Sequence, residues 1–152
     1  MGISIQISGD WDLALRTLQN IKNNMHDTFR DELRDSAEYT LEKLQGHIDK
    51  QDLGWTPLTE HTVQLKGGSR VIMVETGALR NSFEVQEKGD TFYVGVNSSS
   101  HPSGESTEDI VKWLEYGTDK MVPRPLFQPT YKEIQRELPK RWSKTMQDLI
   151  GG

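Results

Sequence analysis

The period of hydrophobic and polar positions changes several times along the chain, and each change marks an element. Ile3, Ile5 and Ile7 alternate with Ser4, Gln6 and Ser8, which predicts a short amphipathic strand over Gly2–Ser8. Gly9 ends it, and the Asp10 carboxylate is placed to cap the amides of a following helix. From Trp11 to Lys50 there is no proline, and no glycine before Gly46. Apolar residues fall at Trp11, Leu15, Leu18, Ile21, Met25, Phe29, Leu33, Ala37, Leu41, Leu44 and Ile48, always three or four apart. One helix of this length would span ~60 Å. That is too long to bury along one small domain, so part of the stripe is expected to pack on a neighbouring subunit. Asn23-Asn24 marks where it would kink or divide into two helices closing as a hairpin.

Gly54, Pro57, Gly67 and Gly68 make the next stretch loop-like, with a short helical turn over Thr59–Thr62. Val71–Val74 is a compact, largely β-branched run that reads as a strand. Ser82–Gln86 and Thr91–Val96 alternate, and Lys88-Gly89-Asp90 between them predicts a hairpin. The polar, serine-rich segment Asn97–Thr107 is expected to be a mobile surface loop. A short helix over Glu108–Tyr116 stops at Gly117, and Glu105, Glu108 and Asp109 suit its positive end. Pro123, Pro125 and Pro129 fix an extended segment. Tyr131, Ile134, Leu138, Trp142, Met146 and Leu149 then give an amphipathic helix over Thr130–Leu149, which Pro139 should kink or split. The order predicts an α+β fold: a long N-terminal helix (or two helices), a small antiparallel β-sheet, a short helix and a C-terminal helix, in a single domain over 1–152.

Composition sharpens this. At 152 residues there is room for one core. The hydrophobic share is 34% and the mean hydropathy -0.69, which fits a thin core with long exposed helices. Net charge is -5, poor for general nucleic-acid binding, but the charge is segregated. From Asp119 onward seven Lys and Arg face four acids, and everything before is net negative. Such segregation suits docking between identical subunits. The absence of cysteine excludes disulfides, thiolate catalysis and cysteine-type zinc sites. No apolar run is long enough to cross a bilayer. Met1–Asp10 lacks the features of a secretory signal, and no myristoylation pattern follows Gly2, so a product of the cytoplasm without membrane contact is expected.

The search for chemistry returns little. There is no G-x-S-x-G elbow, P-loop, dinucleotide fingerprint or H-E-x-x-H pair. His26, His47, His61 and His101 share no metal-ligand spacing, and His47 with Asp49 and Asp52 reads as a solvated helix end rather than a ligand set. No enzyme, metal or cofactor is expected. More telling is the aromatic set Trp113, Tyr116, Phe127 and Tyr131 around a proline-fixed strand that carries Arg124. Aromatic and arginine side chains on a pre-set backbone are common interface anchors.

Four elements in order give the chain a resemblance. They are Trp55-Thr56-Pro57-Leu58-Thr59 with Thr62, Val74-Glu75-Thr76-Gly77-Ala78-Leu79-Arg80-Asn81-Ser82, Glu115-Tyr116-Gly117-Thr118, and Pro123-Arg124-Pro125-Leu126-Phe127. The set resembles the W-x-P-L, T-G-x-L-R, Y-G-T and P-R-P elements of the tail-completion (head–tail joining) proteins of tailed bacteriophages. Val74 stands where that family has leucine, and Leu126-Phe127 where it has Phe-Leu. Asn97–Thr107 replaces a shorter, tyrosine-containing stretch. Without the family, Gly77 permits a tight turn, Leu79 would enter a strand, Arg80 would reach a carboxylate or a carbonyl, and Gly117 would cap a helix.

The resemblance implies a non-catalytic virion protein of the neck. It would form a homo-oligomeric ring, most naturally a hexamer, joining portal and connector proteins of the head to the tail tube or tail terminator. DNA would pass through it without being read. Tail-terminator and head-completion rings are the related alternatives, and a nucleic-acid-binding module using Lys132, Arg136, Lys140, Arg141 and Lys144 is the alternative from another class.

Overall fold

The computed structural model describes Gly9 and residues 11–74, 76–97 and 101–150. The strand expected over Gly2–Ser8, the Asp10 cap, residues 98–100 of the serine-rich loop, and the side chains of Met146 and Leu149 lie outside the described residues. The elements are α1 (Trp11–Lys50), α2 (Glu60–Leu65), α3 (Ala78–Ser82), β1 (Phe83–Lys88), β2 (Thr91–Val96), α4 (Thr107–Tyr116) and α5 (Phe127–Ile150). This is the α+β arrangement that the pattern predicts.

α1 is one helix of 40 residues. It runs through Asn23-Asn24 without a break, so the two-helix alternative does not hold. Neither asparagine competes strongly enough with the helical backbone to end it, and no glycine or proline lies near. α5 packs antiparallel to the C-terminal half of α1. Reading α1 backwards through Lys43, Tyr39, Ser36 and Glu32, its partners advance along α5 through Glu133, Glu137, Trp142 and Thr145. Trp142 Nε1 donates to Ser36 Oγ at 2.9 Å, and Thr145 Oγ1 to Glu32 Oε2 at 2.7 Å. Leu44, Ile48, Leu79, Phe83 and Leu126 form the core under this half of α1. Phe83 and Phe127 meet at 5.7 Å between ring centroids.

β1 and β2 form a two-stranded antiparallel sheet, registered from Phe83 opposite Val96 to Lys88 opposite Thr91. Gly89, at φ 62°, makes the turn. A lone hairpin is marginal in water and needs a helix behind it. Here Phe83, Val85, Val94 and Val96 share the face turned to the helices, and at the far end Arg30 and Arg34 of α1 both pair with Glu87.

Four expectations need correction. Val71–Val74 is not a strand: the Gln51 side chain takes both backbone groups of Ile72, accepting from its N–H at 2.9 Å and donating to its C=O at 3.0 Å. Met73 then turns away with φ 63°. Leu79 sits on α3, not on a strand, and the strand begins only at Phe83. The extended proline segment ends sooner than expected, because α5 starts at Phe127 and takes Pro129 into its first turn, where no N–H is needed. Pro139 does not split α5, which continues through it.

Candidate functional site

The four sequence elements fold into one knot beside the core. Trp55 lies half-buried against the core cluster, and its Nε1 donates to the Pro125 carbonyl at 2.7 Å. The first element is thereby tied to the last. Arg124 reinforces the tie. Its Nε donates to the Thr56 carbonyl at 2.9 Å and Nη2 to the Pro57 carbonyl at 3.3 Å. Arg124 is only 6% exposed, so the expectation that it anchors an outward interface is corrected. Its fork satisfies two loop carbonyls that a single ammonium would serve less well. Its own N–H donates to the Leu114 carbonyl, fastening the segment to α4.

The third element holds the start of α5. Glu115 accepts from the amides of Leu126 at 2.7 Å, Phe127 at 3.0 Å and Gln128 at 2.9 Å. Pro129 has no amide to satisfy, and the Thr130 amide already bonds back to Leu126. One carboxylate thus satisfies the free donors of the first turn and meets the positive end of the helix. Gly117 lets the chain turn from α4 into this segment, at φ 77° and ψ 179°. That region is open essentially to glycine alone. A Cβ there would lie 2.8 Å from the Met121 carbonyl oxygen.

The second element supports the knot from the other side. Gly77 opens α3 at φ 76°, with Thr76 Oγ1 accepting from the Ala78 amide. Leu79 is buried in the core, and Arg80 forms a two-pronged pair with Asp49 at 2.6 and 2.7 Å. That hydrogen bond holds the Asp49 carboxyl below its usual range. Thr59 caps α2, accepting from the Thr62 amide at 3.3 Å. Leu58 is half-buried, Pro57 and Pro123 are exposed, and Pro125 and Phe127 lie half-buried. Of the aromatic set, Tyr116 and Tyr131 stand outward at 80% and 62% exposure, and Trp113 is partly exposed.

No family model, curated protein or solved structure matches this chain.

Several residues of the knot and its surroundings were not legible by spacing. His47 is not a solvated helix end. It is buried between Asp52, 2.6 Å from Nδ1, and Glu133, 3.0 Å from Nε2. The His47 contact is the leading cause that lowers the Asp52 carboxyl. Asp49, the other acid expected near His47, goes to Arg80 instead. Glu133 and Glu137 turn towards α1 and pair with Lys43, while Tyr39 donates to Glu137 and holds that carboxyl down. Among the described residues no group of three or more His, Asp or Glu side chains is arranged to hold a metal ion. The pairs made by Glu133 and Glu137 join α5 to α1.

What remains outward is large. Trp11 is 58% exposed, Leu15 62% and Leu18 63%. Ile21 and Met25 of the same stripe are exposed as well. On α5, Lys132, Arg136, Lys140 and Lys144 are exposed at steps of four residues. No described helix is long and apolar enough to cross a membrane.

Proposed function

We propose that this chain is a structural subunit of a tailed-phage virion, a neck or tail-completion protein that forms a ring between head and tail. The observation that carries the assembly part is the apolar stripe left in solvent on the first half of α1. Burying a large apolar side chain contributes about 1.5–3 kcal/mol. Five such residues, each roughly half exposed, offer on the order of 5 kcal/mol to a partner, enough to offset much of the cost of association. Monomers rarely leave such a stripe uncovered.

The phage part rests on the resemblance, and the geometry of the motifs supports it. Their residues serve as turns, caps and ties that fix a frame, with Gly117, Glu115, Arg124 and Trp55 all inward or local in their bonds. Immunogold electron microscopy of particles tests the reading. Label at the head–tail junction is expected, and particles free of the protein would refute it.

A second reading has its own observation, the cationic row Lys132, Arg136, Lys140 and Lys144. Glu133 and Glu137 are engaged by α1, so this face of α5 is left positive. The row would contact nucleic-acid phosphates. Duplex DNA binding should then weaken with salt at a log–log slope of about −3.6, four contacts at −0.9 each. No binding at low salt removes this reading.

A further inference from the structure

We infer that the projecting half of α1 from one copy lies in a groove on the next copy, between α5, β2 and the second half of α1. The biological setting rests on the assembly reading above, but the contact itself is a property of the isolated chain.

The groove has two adjoining stretches that share Thr40 and Val94, with cavity volumes of about 620 and 280 Å³. Phe127, Tyr131 and Ile134 line the first along α5, and Leu138 and Trp142 line the second. Leu44 and Ala37 form the floor, and Phe92 and Val94 of β2 stand opposite. From Phe127 to Trp142 the α5 wall is ~22 Å long at 1.5 Å per residue. The α1 stripe from Trp11 to Met25 is ~21 Å long by the same measure. An amphipathic helix laid into an apolar groove is a recurrent recognition mode, and the two surfaces match in length and character.

The chain's own stripe cannot fill the groove. α1 is continuous, and among the described residues its side-chain contacts with α5 run antiparallel from His47 back to Glu32. Residues 11–25 therefore continue past the region where α5 packs. Folding back would break a helix that has no glycine or proline between Trp11 and Gly46. A second copy presents the same stripe free of that constraint. A Leu-sized side chain wholly buried removes on the order of 100 Å² from water, so five roughly half-exposed ones supply about 250 Å² of apolar area. Polar residues on either side bring the contact towards the ~800 Å² per partner of a standard interface. Stripe and groove are different faces, so the contact is head-to-tail, and a joined pair keeps one free stripe on one copy and one free groove on the other. Such a contact propagates, and it closes into a ring when the rotation allows.

The chain has no cysteine, so any thiol introduced is the only one. Leu18→Cys and Tyr131→Cys, made separately, are mixed at the highest soluble concentration and oxidised. Tyr131 and Leu18 are both exposed, so both variants should fold. The mixed cross-link should exceed either like–like cross-link about tenfold. Predominance of Leu18–Leu18 dimers, which would mean α1 pairing with α1, overturns the inference, as does absence of the mixed product. Leu18→Asp should keep the wild-type helical circular-dichroism spectrum and reduce the mass by light scattering to that of a monomer. An unchanged mass also overturns it. If cross-linking fails while the protein is found at the particle neck, the groove assignment alone fails. If it succeeds and no particle contains the protein, the phage reading alone fails.

Discussion

Replacing Glu115 with alanine removes the acceptor of three amides at the start of α5. The three do not suffer equally. Leu126 is 3% exposed, so water cannot replace its lost partner, and an unsatisfied buried amide costs about 1–3 kcal/mol. Gln128 is exposed, and its amide can be hydrated. Losing the capping interaction adds about 1 kcal/mol, and losing a negative charge at the helix N-terminus about 0.3–1 kcal/mol. The total is about 3 kcal/mol, which lowers the melting temperature of a domain this size by about 6–12 °C. Urea unfolding followed by circular dichroism at neutral pH measures it. Glu115→Gln keeps one acceptor oxygen and should lose about half as much. A loss below about 0.5 kcal/mol for the alanine variant, or equal losses for both, would refute the view that one carboxylate organises this helix start.

Arg124→Ala should destabilise the subunit by about 2–4 kcal/mol, since it strands two loop carbonyls beside a vacated buried volume, and Arg124→Lys should restore little; thermal melts of both check this. Gly117→Ala should cost at least about 2 kcal/mol from positive φ together with the clash on the Met121 carbonyl, read in the same melts. Acid should destabilise the protein in a defined direction. Asp49, Asp52, Glu87 and Glu137 are held below their usual range by Arg80, His47, Arg30 and Tyr39 respectively. Groups depressed in the folded state favour folding above their unfolded values near about 4, and that contribution is lost as pH falls through the folded values. Urea midpoints should therefore decline below about pH 4, and Asp49→Asn should show a smaller decline than wild type.

The elements legible in the sequence are those whose signal is local. The three-and-four spacing from Trp11 to Ile48 contains the whole of α1, and alternation around Gly89 contains the hairpin. Gly117 announced its cap because its neighbours make it one. The misreadings share a different cause, a partner far away in the chain. Val71–Val74 carries strand-forming residues, but Gln51 takes the backbone of Ile72 before any strand can. The start of α5 is set by Glu115, 11 to 13 residues earlier. His47 is held inward by Glu133, 86 residues on. Arg124 looked like an anchor because prolines flank it, yet a rigid backbone does not reveal which way its side chain points. The stripe on α1 was legible as a surface in excess of one domain, and its first half is exposed.

The central claim is that the chain completes the joint between head and tail. Electron microscopy of particles made when the gene encoding this chain is silenced tests it most directly. Filled heads and finished tails should accumulate apart, and adding the purified protein should join them, whereas Leu18→Asp protein should not. Intact, joined particles formed without the protein would contradict the account.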